Sequence, residues 1–154
     1  VGASGKIVSA FDMARALALG ADWCNSARGF MFALGCIQAQ TCHTGNCPTG
    51  VTTQDPQRQM ALVVPSKAER VHNFHTHTLE ALQELMEASG LKTPSDITPR
   101  HIMRRVSETQ TLHLSELVDT LEAGALLKDD LSALPLVYRD WHLASATQFG
   151  FNPA

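Results

Sequence analysis

The fold class is decided by residues 1–25, which read VGASGKIVSAFDMARALALGADWCN. The opening VGASG is typical of the end of a strand that runs into a glycine turn. A capping-box pattern begins at Ser9, and the apolar spacing after it predicts a helix over residues 10–19 that ends at Gly20. Residues 21–25 are short and strand-like. Strand, helix and strand in this order make one step of a parallel α/β fold.

Beyond residue 60 the pattern is mainly helical. A second S-x-x-E capping pattern at Ser66 opens a long predicted helix that runs to Gly90. One apolar face of this helix carries Val71, His75, Leu79, Leu82 and Leu85. A threonine followed by proline predicts a further helix over residues 99–106. Another helix is predicted over 115–122, and the aromatic-containing end, 131–154, is expected to form a helix and a tail.

Composition excludes several classes of function. The chain has 154 residues, of which 44% are hydrophobic and 18% charged, as expected for one ordinary globular domain. The formal net charge is −3, and the Lys and Arg residues are scattered, so no basic patch points to nucleic acid or to an anionic membrane. No apolar run approaches the roughly 20 residues of a membrane helix, and no signal peptide is evident. We therefore expect a cytoplasmic location.

Three cysteines dominate the irregular segment 35–55. Cys36, Cys42 and Cys47 follow the spacing C-x5-C-x4-C in a stretch rich in glycine, proline and threonine. Such a loop lets three thiolates converge on one point. Clustered cysteines in a cytosolic chain indicate a metal before a disulfide. Three thiolates, one fewer than a complete cubane needs, suit a cluster with three irons and four sulfides.

Spacing alone leaves other interpretations open. Free buried cysteines also act as small apolar residues. Zinc is a second possibility, with His43 completing a Cys3His set, although the close cysteine pair common in structural zinc sites is absent. Cys24 lies on the predicted strand and is interpreted as a packing residue. His72, His75 and His77 share one predicted helix, where surface or interhelical positions are the ordinary interpretation and a metal site is the alternative.

The same cysteine loop carries a family resemblance. LGCIQ at 34–38, CH at 42–43 and CPTGVTTQDP at 47–56 resemble the cluster loop of the glutamate synthase large subunit and of the shorter FMN-binding glutamate-synthase-like proteins. Upstream, GASGK at 2–6 and ALALGAD at 16–22 are similar to the segment from the seventh to the eighth strand of that family's FMN-binding barrel. Downstream, VHNFH and HIMRRV resemble the C-terminal helices of the shorter form.

The resemblance implies cofactors and the residues that hold them. Cys36, Cys42 and Cys47 would each bind iron of a [3Fe-4S] cluster. The FMN phosphate would lie near two backbone turns, formed by Ser4, Gly5 and Lys6 and by Ser26, Ala27 and Arg28. Barrel enzymes commonly bind phosphate after strands seven and eight. The related proteins often carry two successive glycines at the first turn. This chain has Gly5-Lys6 instead, so Lys6 either supplies charge to the phosphate or is a solvated surface lysine.

The resemblance also implies an activity and a domain organisation. Residues 1–60 would form the end of an FMN-binding (β/α)8 barrel with the cluster loop, and residues 61–154 a helical C-terminal region. The related enzymes reduce 2-iminoglutarate, formed from 2-oxoglutarate and ammonia or glutamine nitrogen, to L-glutamate. Hydride comes from reduced FMN, which the cluster supplies with electrons from ferredoxin or a pyridine-nucleotide-linked subunit. No catalytic acid or base is identified in this segment.

A complete barrel needs about 250 residues, so we expect the chain, which begins within a fold at Val1, to be inactive by itself. Two other functions stay open on the sequence. The first is a helical interaction module whose cysteine loop is stabilised by zinc or is merely rich in thiols. The second is a short ferredoxin-like electron carrier, for which the helical content is unusual.

Overall fold

A computed structural model describes residues 1–122 and 124–147. The described residues mix helices with two small sheets, which is compatible with the predicted α/β class. The chain divides into two compact units, of which the first comprises Val1–Leu114 and the second begins at Ser115. The predicted boundary at residue 60 concerned the end of a barrel in a longer protein, and both the boundary and the eight-stranded barrel stay predictions.

The predicted strand, helix and strand are present at the start of the chain. Strand β1 (Gly2–Ser4) is followed by helix α1 (Ala10–Ala18) and strand β2 (Trp23–Asn25), and the two strands pair in parallel. The capping box forms as predicted: the N–H of Asp12 donates to the Ser9 hydroxyl at 3.3 Å, and the Asp12 carboxylate accepts the N–H of Ser9 at 3.0 Å.

Three more helices follow in the first unit. Helix α2 spans Arg28–Leu34, the short α3 spans Pro56–Gln59, and the long α4 spans Val64–Ala88 and packs against α1 and α2. The predicted start of α4 at Ser66 is wrong. Val63 precedes the helix without a side-chain cap, and the proline in the first turn suits this position because its missing N–H would have no helical partner there.

The prediction of a helix over residues 99–106 is also wrong. Only a 3₁₀ turn forms, at Pro99–His101, and the chain then enters an antiparallel hairpin of β3 (Met103–Arg105) and β4 (Thr111–His113). The N–H of Leu114 donates to the carbonyl of Ile102 at 2.8 Å, and both side chains are buried in the core. This non-local pairing outweighs the local helix-start signal.

Helical structure is shorter than predicted near the junction of the two units. Helix α5 covers Leu114–Leu117, whereas the predicted helix extended to residue 122. Within the second unit, α6 spans Leu136–Arg139 and a 3₁₀ turn follows at Asp140–Leu143. The end of the predicted C-terminal helix and tail, which includes Phe149, lies outside the described residues.

The core of the first unit is built around the face that α1 presents to α4. Its buried members are Ala10, Ala14, Ala18, Leu82, Met86, Ile97, Ile102 and Leu114. The three alanines recur every four residues and so form one narrow stripe of small side chains, which lets the larger Leu82 and Met86 of α4 pack closely. Within the described ranges, no helix combines the length and the apolar character that crossing a membrane requires.

Candidate functional site

The three loop cysteines line a single small pocket. Between α2 and α3 the chain is irregular apart from a 3₁₀ turn at Cys42–Thr44, and the walls of the pocket include Cys36, Cys42 and Cys47. The pocket volume is about 10 Å³, which is close to the minimum for one water molecule. In the part of the chain that the structure describes, no three or more ligating side chains are close enough to hold a metal ion. A bound cluster would therefore have to draw the three sulfurs into a shared geometry.

The surroundings of Cys47 favour the ionised form of its thiol. It is buried, and its sulfur lies 3.4 Å from the Thr49 hydroxyl oxygen. That hydroxyl, followed by the backbone N–H groups of Thr52 and Thr49, lowers the pKa of Cys47 from its ordinary value of 9.0 to about 6. Because the thiolate is the form that binds metal, these contacts favour ligation at neutral pH.

The Thr52 hydroxyl lacks a partner inside the same pocket. Its oxygen is buried and forms no hydrogen bond. The Thr52 hydroxyl makes the smallest of the contributions that lower the pKa of Cys47. Buried hydroxyls usually find a partner. An unpaired hydroxyl on a residue that lines the cysteine pocket is therefore consistent with a site that binds an electron-rich group.

The other two cysteines differ in exposure. The Cys36 sulfur is half-buried and accepts the N–H of Gln38 at 3.5 Å, whereas Cys42 is exposed on its 3₁₀ turn. Gln38 and Gln40 have φ angles of +57° and +58°, a left-handed conformation that is uncommon for residues with side chains. Such conformations concentrate in functional loops.

Contacts with α3 hold the second half of the loop. Gly50 has a φ of +78° and lies so close to α3 that an added Cβ would be 2.4 Å from the Arg58 carbonyl oxygen. The Arg58 guanidinium donates to the Asn46 carbonyl at 3.3 Å and forms an ion pair of 3.3 Å with Asp55. The segment that carries Cys47 is therefore fixed by backbone packing as well as by hydrogen bonds.

The two predicted phosphate turns lie at one edge of the β1–β2 sheet. Parallel strands end on the same side, and Ser4 is the register partner of Asn25, so the residues that follow each strand are neighbours. The Ser26 hydroxyl donates to the Ile7 carbonyl at 2.7 Å and so links the second turn to the residue that follows the first. Ser26 is half-buried, and the other five predicted residues, Ser4, Gly5, Lys6, Ala27 and Arg28, are exposed. All six thus lie on one accessible edge.

Lys6 occupies a conformation that glycine adopts more readily. Its φ is +56°, next to a φ of +100° at Gly5. The left-handed region costs a residue with a side chain roughly 1–2 kcal/mol. Glycine would adopt the conformation of Lys6 without this cost.

Helix α2 connects the two candidate sites. It begins at Arg28, the last residue of the second turn, and its C-cap residue Gly35 directly precedes Cys36. Its buried Gly29 packs against α4, where an added Cβ would lie 2.6 Å from Phe74. Phe30 and Phe74 also form an edge-to-face pair with centroids 5.1 Å apart. A rigid, well-packed helix therefore fixes the position of one site relative to the other.

The remaining predicted residues fall outside the cysteine pocket. His43 is exposed and does not line it. Cys24 lines a separate, largely apolar cavity of about 150 Å³ between the sheet, α2 and α4, and burial raises the pKa of its thiol. His75 stacks on Phe30 with centroids 6.1 Å apart. Thr49 and Thr52 were missed from the sequence, although hydroxyl residues two and five positions after a loop cysteine are a usable signal.

Comparison with known proteins identifies relatives that match over most of the chain. A family model described as a conserved region in glutamate synthase matches residues 1–92. The chain is 42% identical over 116 residues to the glutamate synthase large subunit-like protein YerD of Bacillus subtilis, covering 75% of this chain and 22% of that protein. It is 34% identical over 155 residues to ferredoxin-dependent glutamate synthase 2 of Synechocystis, covering 86% and 10%.

A third relative, the archaeal NADPH glutamate synthase of Methanocaldococcus jannaschii, is 36% identical over 91 residues, which cover 59% of this chain and 18% of that protein. The chain therefore spans at most 22% of the length of these three relatives.

Proposed function

Because this chain belongs to the glutamate synthase family, we propose that it supplies the end of the FMN-binding barrel and the iron–sulfur loop of a longer oxidoreductase. That enzyme forms L-glutamate from 2-oxoglutarate and from ammonia or glutamine nitrogen. It works in the cytoplasm and takes electrons from ferredoxin or from a pyridine-nucleotide-linked subunit. The observation that carries the proposal is the single pocket shared by Cys36, Cys42 and Cys47.

The chemistry of this pocket suits a [3Fe-4S] cluster. Each cysteine would bind one iron, and the bound cluster would relay single electrons. The low pKa of Cys47 supplies one thiolate without a base. The N–H of Gln38 already points at the Cys36 sulfur, and the unpaired Thr52 hydroxyl is available to a further sulfur. Hydrogen bonds of this kind disperse negative charge on iron–sulfur centres and tune their potential.

The two linked turns suit the phosphate of FMN. The residues of both turns lie at one edge, all of them exposed except the half-buried Ser26, and Ala27 provides no side-chain cap to α2. Unpaired helix N–H groups attract anions, and Lys6 and Arg28 add positive charge. Bound FMN would supply the hydride, while these residues orient it. The chain spans at most 22% of its three relatives, so we expect no turnover of 2-oxoglutarate from the 154-residue polypeptide.

Metal content tests the proposal directly. The chain is purified anaerobically, reconstituted with iron and sulfide, and assayed for both elements and for paramagnetic resonance in the oxidised state. We expect about three irons per chain and a paramagnetic signal. Cys42→Ser should abolish both, and because Cys42 is exposed the folded chain should survive. Cys24→Ser, in the separate cavity, is the matched control and should retain the cluster.

The opposite result would support a different class of function. One zinc per chain without labile sulfide would indicate a helical interaction module with a zinc-stabilised loop. The exposed position of His43, outside the cysteine pocket, argues against a ready-made Cys3His site. Loss of metal in both cysteine variants alike would also contradict the assignment, because Cys24 does not line that pocket.

A further inference from the structure

Two cations of helix α4 lie over the start of the cysteine loop. A Cβ added to Gly35 would be 3.0 Å from the Lys67 ammonium nitrogen and 4.0 Å from a guanidinium nitrogen of Arg70. Gly35 is the last residue before Cys36, and its φ of +103° turns the chain out of α2. The ammonium group of Lys67 therefore occupies space beside the backbone that leads to the first predicted iron ligand.

The charges of Lys67 and Arg70 matter here because of their surroundings. Within the described ranges, neither Lys67 nor Arg70 has an acidic side chain at ion-pair distance. Lys67 is half-buried and Arg70 is exposed. Arg58 of α3, which contacts the other end of the loop, differs because it is paired with Asp55. The positive field at the Gly35 end of the loop thus comes from α4 and is not cancelled locally.

Lys67 and Arg70 lie close to a place where negative charge accumulates. Cys36 follows the C-terminal end of α2, where the helix dipole leaves partial negative charge, although the N–H groups of Gly35 and Cys36 pair with two of the last carbonyls. A thiolate, and still more a cluster held by three thiolates, is disfavoured there. Cations near a helix C-terminus offset this charge. Lys67 and Arg70 come from a neighbouring helix and reach the place where the negative charges accumulate.

We propose that Lys67 and Arg70 raise the reduction potential of the cluster held by Cys36, Cys42 and Cys47. This inference rests on the proposed function. When the cluster accepts one electron from the electron-donor protein, its net charge becomes more negative by one unit, and no bond or proton transfer is required. Nearby positive charge stabilises the reduced form more than the oxidised form. Net charge around an iron–sulfur centre is one of the determinants of its potential.

The test is a redox titration of the reconstituted chain, with dithionite as the source of electrons and paramagnetic resonance as the readout. Lys67→Gln should lower the ratio of reduced to oxidised cluster at a fixed potential about threefold, or about 30 mV for a one-electron couple. Arg70→Gln should act in the same direction, and the double variant should shift further. The effect is modest because partly exposed charges are screened by salt.

Controls separate charge from structure. Lys67→Arg keeps the charge and should keep the wild-type potential. Lys92→Gln removes the same charge beyond the far end of α4, a 25-residue helix that is about 37 Å long, and should have no effect. A cluster that forms normally but titrates identically in wild type and in both Gln variants overturns this inference alone. A wild-type chain that takes up no cluster overturns the proposed function and this inference with it.

Discussion

The Ser26 hydroxyl donates a 2.7 Å hydrogen bond to the Ile7 carbonyl, nineteen residues earlier in the chain. Ser26 follows β2 and Ile7 follows the turn after β1, so this bond fixes the distance between the two turns proposed to hold phosphate. Ile7 is buried, and the bond is shielded from water on that side. The turns are therefore organised before any ligand arrives, which reduces the ordering that binding requires.

Replacement of Ser26 by alanine should destabilise the first unit. The change removes the donor and leaves the buried Ile7 carbonyl without this partner, at a cost of about 1–2 kcal/mol. Urea unfolding followed by circular dichroism measures the difference. Ser4→Ala is the matched control, because Ser4 is exposed at the same sheet edge, and its change should stay within about 0.5 kcal/mol. Equal effects of the two substitutions would contradict the role assigned to the Ser26 hydroxyl.

Gly50→Ala should disrupt the cysteine loop far more than Gly45→Ala. Both glycines have positive φ, +78° and +73°, so both alanine variants carry the left-handed strain. Only at Gly50 would the new Cβ meet backbone, 2.4 Å from the Arg58 carbonyl oxygen, whereas nothing lies within 4 Å of the Cβ at Gly45. Overpacking should add about 1–3 kcal/mol to the cost at Gly50.

The difference between these two glycine variants is measurable in thermal unfolding of the metal-free chain and in the iron content after reconstitution. Gly45→Ala should still take up iron, and Gly50→Ala should take up less. A smaller stability loss at Gly50 than at Gly45 would contradict the packing of the loop on α3.

Local sequence signals were sufficient to predict the first strand, helix and strand of the fold. The Ser9 capping box and the regular spacing of alanines specify α1 without help from distant residues. The same kind of signal failed at Thr98-Pro99, because the following residues are used by a hairpin whose pairing brings Ile102 and Leu114 into the core. The periodicity of a short segment carries no information about a strand partner that lies about a dozen residues away in the chain.

Only part of the candidate site could likewise be predicted from local sequence. The three cysteines were predictable from their spacing, because all lie within one loop. Lys67 and Arg70 were not, since their approach to Gly35 depends on how α4 packs across α2. Thr52 became informative only when its burial without a hydrogen bond was known.

Thr49→Val should raise the pKa of the Cys47 thiol. The Thr49 hydroxyl is the largest contribution to a pKa of about 6, and valine keeps the shape while removing the donor. The pH dependence of alkylation at Cys47, resolved from the other cysteines by peptide mass spectrometry, should show a midpoint near 6 in wild type and a higher one in the variant. Thr44→Val, in the same loop but outside the cysteine pocket, should leave that midpoint unchanged.

The low pKa of Cys47 also predicts how stability depends on pH. Folding lowers the pKa from its ordinary value of 9.0 to about 6, so between these values the folded thiol is ionised while the unfolded one is still protonated. The unfolded chain then binds more protons, and the contribution of Cys47 to stability rises as pH increases through this window. It is fully present above about 9.0 and is lost as the pH falls from there to about 6. Thr49→Val should flatten this part of the stability profile, and an unchanged slope would contradict it.

Lys6→Gly should stabilise the folded chain. Lys6 has a φ of +56°, and glycine adopts this conformation without a steric penalty. We expect a gain of about 0.5–1 kcal/mol, because relief of the strain exceeds the added flexibility of the unfolded state. Lys92→Gly is the matched control: Lys92 is not among the residues with positive φ, so the same substitution there should destabilise. Unfolding in urea compares the two.

The proposed phosphate edge offers a functional reason for a lysine at this strained position. In the longer enzyme, Lys6→Gly should therefore weaken retention of FMN while it raises the unfolding temperature. Fluorescence of released flavin measures retention during dialysis. If flavin retention were unchanged while stability increased, Lys6 would be a solvated surface lysine, and the phosphate would depend on backbone N–H groups and Arg28 alone.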